Sequence, residues 1–164
     1  MHRLAPLVDF DSVADIISHL RIFGGVTESQ RDTIFQRLKI WNLCAGEVVF
    51  QKGDEPRHIY IVKSGEIALH LEENGTLIHK HQLRVGECFG ESSLMSMNKH
   101  TATAVATVDS ELIILSRRAL IDLKHDDLAL FALLMMNLAR ELARRLYITD
   151  QMLLDATVRK PHAP

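Results

Sequence analysis

Glycine, carboxylate and hydroxyl follow one another in Phe89-Gly90-Glu91-Ser92-Ser93-Leu94, where the pattern passes from strand to short helix. A glycine at that junction breaks the strand and turns backbone N–H groups outward at a helix N-terminus, which attracts an anion. Glu91, in the first turn, repels an anion but accepts hydrogen bonds from a neighbouring sugar hydroxyl. Lys99, His100 and Thr101 follow and open the next strand with two cationic groups and a hydroxyl. One loop thus offers donors for a phosphate and an acceptor for a ribose. Taken alone, the same pattern also describes an ordinary strand–glycine–helix junction with a polar first turn.

A second cluster could hold a metal. His79 and His81 fall on one face of a strand, and a two-residue turn at Asn74-Gly75 sets His70 across from His79. Three imidazoles on one sheet face suit a transition ion. No fourth ligand follows at motif spacing, since Glu87 lies six residues beyond His81 beside a turn glycine. Histidines on a half-exposed strand are more often solvated side chains than ligands, so no metal ligand is assigned. No serine or cysteine sits in a nucleophile motif and Glu91 has no paired carboxylate, so no catalytic residue is assigned and the chain is not read as an enzyme.

The elements that must position these groups are legible from periodicity. Residues 1–38 read as N-terminal helices: Phe10, Val13, Ile16, Ile17 and Leu20 recur at helical spacing, and Thr27 with Gln30 forms a capping box for a second helix. From 39 to 115 the period shortens to two, with glycines at 46, 53, 65, 75, 86 and 90. Short, evenly spaced strands with glycine turns indicate an antiparallel roll or sandwich. Asn74-Gly75 suits a type I′ hairpin, whose central residues both need positive φ. Residues 116–158 are helical again, and 159–164 read as a disordered tail.

The last helix, from about Asp127, contains neither glycine nor proline as far as Val158. Phe131, Met135, Leu138, Leu142, Arg145, Thr149, Met152 and Ala156 follow an alternating four–three spacing, the seam of a coiled coil with two polar positions. The helix carries further apolar residues, including Leu146, Ile148, Leu153 and Leu154, more than one face buries. A subunit interface through Phe131, Met135, Leu138, Leu142, Arg145 and Met152 is therefore expected.

Composition bounds the rest. At 164 residues and 47% apolar content the chain buries a sizeable core as one domain. No apolar run approaches the roughly 18 residues of a membrane span, and Met1-His2-Arg3-Leu4-Ala5-Pro6 lacks the build of an export signal. A cytoplasmic location follows as an expectation, with Cys44 and Cys88 reduced. A net charge of −2 argues against a nucleic-acid footprint over the whole chain.

Gly86-Glu87-x-Phe89-Gly90-Glu91-x-Ser93-Leu94, continued by Thr101-Ala102-Thr103-Ala104, resembles the phosphate-binding cassette (86–104) of the cyclic nucleotide-binding domain family. That family includes the bacterial catabolite activators and the regulatory subunits of cyclic-AMP-dependent kinase. Gly46-Glu47-Val48-Val49-Phe50-x-Lys52-Gly53-Asp54 and Ile59-Tyr60-Ile61-Val62-x-x-Gly65 resemble its first roll strands. The resemblance implies a mainly β fold with flanking α: an antiparallel roll, jelly-roll-like, with N-terminal helices and a long C-terminal dimerisation helix.

It also implies the ligand, cyclic AMP or cyclic GMP, and no other cofactor. Gly90, Ser92, His100 and Thr101 would hold the phosphate, Glu91 the ribose 2′-hydroxyl, and Leu69, Leu83 and Thr149 the base. The bacterial activators carry a helix-turn-helix domain after the long helix; here a short tail follows it, so direct DNA binding is not expected and signals would pass to a partner protein. Where most ligand-binding members have arginine, this chain has His100, which is charged only part of the time near neutrality. Two alternatives stay open: a degenerate domain of this family used for dimerisation or protein interaction without ligand, and a metal enzyme of the cupin type, which shares the roll.

Overall fold

Ile59-Tyr60-Ile61-Val62 and Leu112-Ile113-Ile114-Leu115 are apolar on both faces, as strands covered on both sides must be. The computed structural model, which describes residues 4–6, 13–14, 18–73 and 76–158, places these runs side by side. Strand β4 (His58–Ser64) pairs antiparallel with β9 (Ser110–Ser116), Tyr60 opposite Ile114 and Ile61 opposite Ile113. Around them lie β1 (Leu4–Pro6), β2 (Leu38–Leu43), β3 (Val48–Phe50), β5 (Ile67–Glu73), β6 (Thr76–Leu83), β7 (Cys88–Phe89) and β8 (Thr103–Ala106). One sheet runs β1-β2-β9-β4-β7 and the other β3-β8-β5-β6.

Alternation then sorts the side chains. Tyr60, Val62, Leu112 and Ile114 turn toward the second sheet and build the inner core with Trp41, Phe50, Leu83 and Phe89. Ile59, Ile61, Ile113 and Leu115 turn outward and are covered by helices. Those helices are a 3-10 turn (Arg21–Phe23), α1 (Glu28–Phe35), α2 (Glu91–Ser96), α3 (Arg117–Asp126) and α4 (Leu128–Val158). The capping box of α1 forms as the sequence predicts, with Thr27 and Gln30 exchanging bonds. Asn137 of α4 is buried and donates from Nδ2 to the carbonyls of Ile22 (3.2 Å) and Gly24 (2.8 Å), tying the 3-10 turn to the long helix.

Two expectations change. The N-terminal segment is not purely helical, because Leu4–Pro6 forms the edge strand beside β2; an edge is where a strand proline is tolerated. Val13, Ala14, Ser18 and His19 are helical, while Phe10, Ile16 and Ile17 lie outside the described residues. The hairpin turn Asn74-Gly75 does too, although Glu73 pairs with Thr76 on either side of it.

The second change concerns the expected seam. Leu138 is only 2% exposed and packs with Leu130 and Leu134 in the chain's own outer core, flanked by Phe131 and Met135. Those first seam positions pack on the chain's own outer core. Leu142 is half-buried. Beyond it the apolar surface is open: Leu146, Tyr147, Met152, Leu153 and Leu154 are each more than half exposed.

Candidate functional site

Strand β7 lies beside the middle of β4, Phe89 opposite Tyr60, and stops at Gly90. Gly90 adopts φ +81°, a left-handed conformation that side chains resist, and an added Cβ would come within 2.9 Å of the Tyr60 ring and 3.0 Å of the His58 carbonyl. Both constraints ask for glycine, and the turn they permit starts α2 at Glu91. Leu94, buried on the other side of α2, fastens the helix to the outer core. Ser92 stays exposed at the first turn, where the leading amides have no partner inside the helix.

Glu91 is 1% exposed, which a carboxylate tolerates only when paired. Its partner comes from α4: Arg145 Nη1 donates to Glu91 Oε1 at 2.6 Å. The same guanidinium donates from Nη2 to the Cys88 carbonyl at 2.6 Å and from Nε to Glu141 Oε1 at 3.2 Å. Glu91 Oε2 has no hydrogen-bond partner. Burial raises the Glu91 pKa above the ordinary carboxylate value; Arg145 and the residue's own backbone amide oppose that rise, and Glu141 adds to it. Burial also pushes the Cys88 thiol up to about 12, with Glu91 adding to the shift, so this cysteine is inert.

Arg145 thus leaves the subunit seam to which its spacing assigned it and joins the site. Two signals mark it: the single cation on a mostly apolar stripe, and Glu141 four residues earlier on the same helix face. Thr149, one turn further on, is exposed, and its hydroxyl donates back to the Arg145 carbonyl at 2.9 Å. Leu69 and Leu83 are brought together on the inner wall, Leu83 buried and Leu69 packed against the same cluster.

His100 is the departure from expectation. It is 4% exposed and its ring stacks on Phe50, with centroids 3.7 Å apart and 10° between planes. Burial lowers its pKa, and nearby Asp54 only partly offsets this, so the imidazole is neutral at neutral pH rather than a standing cation. Its backbone clamps the loop after β3: Gly53 N donates to the His100 carbonyl (2.8 Å) and His100 N to the Asp54 carbonyl (3.0 Å). Thr101 is exposed, and Lys99 lies 3.8 Å from Glu55.

Among the histidines of the second sheet, His70 does face His79 across the β5–β6 pair. The side chain of His79 lies outside the described residues. His81 Nε2 sits 3.8 Å from Glu87. Among the described residues no group of three or more His, Cys, Asp or Glu side chains is placed to hold a metal, and no helix is long and apolar enough to cross a membrane.

Comparisons with known proteins bear on the family and the fold. The family model for the cyclic nucleotide-binding domain matches residues 40–127, which contain β3 to β9 and the Gly90 turn. The cyclic AMP receptor protein of Thermus thermophilus is 37% identical over 136 residues, covering 79% of this chain and 58% of that protein. Human cyclic nucleotide-gated channel beta-3 is 31% identical over 121 residues, covering 72% of this chain and 15% of the channel. The chain therefore spans less than two thirds of these relatives. Among solved structures, the Thermus thermophilus catabolite activator protein superposes with a TM-score of 0.73 at 30% identity, over 84% of this chain and 63% of that one. A cyclic nucleotide-binding domain from Methylobacillus flagellatus superposes at 0.82 with 18% identity, over 95% of this chain and 88% of that one, a likeness of fold. With more than half its length matched by the family model, the chain belongs to the cyclic nucleotide-binding domain family.

Proposed function

We propose that this chain is a regulatory sensor that binds a cyclic nucleotide, cyclic AMP or cyclic GMP. The observation that carries this reading is Glu91: a buried carboxylate with one oxygen fixed by Arg145 and the other without a partner. A buried acceptor of that kind is costly to leave unmade, and a ribose 2′-hydroxyl is a donor of the right reach. The amides of Gly90 and Ser92, with Thr101, take the phosphate, and His100 adds a charge when it is protonated. Leu69 and Leu83 line the side toward the base, with Thr149 reaching its polar edge from α4. Because α4 supplies both Arg145 and Thr149, ligand binding favours one placement of that helix over another, which is how occupancy would be passed on.

Calorimetric titration with cyclic AMP and cyclic GMP at pH 6 and pH 8 tests the reading. Saturable heat with one nucleotide is expected, larger in affinity at pH 6. A folded protein that gives no heat with either nucleotide at either pH overturns it.

The partner in this reading is a second copy, held through the part of α4 that its own domain leaves open. Met152 is 66% exposed and Ala156 is exposed on the same seam. Met152→Glu with Ala156→Glu sets like charges against each other across a parallel pair. Light scattering should show a dimer for the parent protein and a monomer of unchanged melting temperature for the variant. A monomeric parent at tens of micromolar ends the dimer proposal.

A further inference from the structure

We infer that Glu141 is a positioning residue for the ribose contact: it holds Arg145 so that only one oxygen of Glu91 is taken, leaving the other for a sugar hydroxyl. This deepens the cyclic nucleotide reading and rests on it. An arginine facing a carboxylate ordinarily engages both oxygens through its planar fork. Here it does not, because the fork is turned toward other acceptors. Nε is held by Glu141 Oε1 at 3.2 Å and Nη2 by the Cys88 carbonyl at 2.6 Å, so Nη1 alone reaches Glu91, at 2.6 Å on Oε1. Glu91 Oε2 is left buried and unpaired as a direct result.

Glu141 is itself built in. It is 7% exposed, and Arg144 donates to both its oxygens, Nε to Oε2 at 3.0 Å and Nη2 to Oε1 at 2.5 Å. Arg21, on the 3-10 turn that Asn137 fastens to α4, lies 3.6 Å from Oε2. The hydrogen bond from Arg144 holds the Glu141 pKa below its ordinary value against the effect of burial, so it stays ionised throughout the neutral range. Three arginines from two elements therefore meet one carboxylate, and only Arg145 continues to Glu91.

Replacing Glu141 frees Nε, and the guanidinium is then expected to turn and close on both oxygens of Glu91. The test compares cyclic AMP with its 2′-deoxy analogue in the parent chain, Glu141→Gln and Glu141→Ala. The parent should prefer the ribose form by about tenfold or more, as befits a hydrogen bond to a charged group. Glu141→Ala should bind the two ligands within about twofold of each other, with affinity for the deoxy form unchanged. Glu141→Gln keeps a carbonyl acceptor for Nε and should retain most of the preference.

Equal weakening toward both ligands means that Glu141 only supports the fold and overturns the inference, as does full preference in the alanine variant. A parent that binds both ligands equally instead removes the Glu91–ribose reading on which it rests. A readout without ligand separates the failures further: side-chain carboxyl resonances of Glu91, followed against pH, with Glu141, Arg144, Arg145, Arg21 and Cys88 the charged or titratable groups around it. Midpoints falling in the order parent, Gln, Ala support re-pairing with Arg145. Equal midpoints for Gln and Ala, or a rise in Ala, overturn it. Glu141→Met, close in volume, replaces the alanine variant if that one does not fold, with the same outcomes expected.

Discussion

Glu91→Gln is expected to raise the dissociation constant for the cyclic nucleotide at least tenfold while leaving the melting temperature nearly unchanged. A hydroxyl donating to a buried carboxylate is worth about 1.5–3 kcal/mol net, roughly ten- to 150-fold in affinity. The amide keeps the shape and can still offer its oxygen to Arg145, but it places an N–H2 group where the ribose needs an acceptor. Stability behaves differently because of the direction of the pKa shift. Glu91 titrates above its ordinary value in the fold, so its contribution to stability is fully present below the unfolded pKa and is lost as pH rises through the folded one. At neutral pH the ionised carboxylate is thus no asset to folding, and a neutral amide costs little. Calorimetry and thermal melts on the same preparations decide the matter. Unchanged affinity removes the ribose role. Affinity lost together with a large fall in melting temperature would make Glu91 a structural residue instead.

Much of this site could be read from the chain because it depends on backbone conformation, which residue type constrains directly. Gly90 is required by a positive φ and by the closeness of Tyr60, and both demands leave a glycine in the sequence. The runs at 59–62 and 112–115 announce strands buried on both faces, and Thr27 with Gln30 announces a helix start. What stayed hidden depends on where side chains end rather than where they begin. Heptad spacing gives the angle at which Arg145 leaves α4, but a long flexible stem carries its charge back to β7 and Glu91. The same spacing cannot say which stretch of an apolar stripe is covered by its own sheet, so Leu138 and Met152 look alike in sequence and differ completely in exposure. Strand β1 is three residues long and ends in proline, too short to show a period. For His100 the sequence supplies a residue whose charge depends on its surroundings, and the surroundings are what the fold adds.

Those surroundings set the largest pH effect expected of this protein. His100 titrates below its ordinary value in the ligand-free fold because it is buried against Phe50. Its contribution to stability is therefore present above the unfolded value of about 6.5 and is lost as pH falls through the folded one. His58, also lowered by burial and by Arg57, acts in the same direction. A bound phosphodiester, which keeps its single negative charge across this range, favours the imidazolium and raises the His100 pKa in the complex. Binding then takes up a proton, so affinity should rise as pH falls, most steeply between the pKa of the complex and that of the free protein. His100→Arg carries its charge at every pH. It should bind more tightly at pH 8, by about 1–3 kcal/mol for a charge-assisted contact, and its affinity should vary little with pH. Calorimetry from pH 8 to pH 6, on protein shown by thermal melts to be folded at each pH, distinguishes three outcomes. A pH-dependent parent beside a tighter, pH-flat arginine variant places His100 on the phosphate. A silent parent beside a binding variant shows a pocket whose only missing part is a permanent cation. If neither protein binds at any pH, the cassette is not a nucleotide site, and the unpaired oxygen of Glu91 must be satisfied by some other donor.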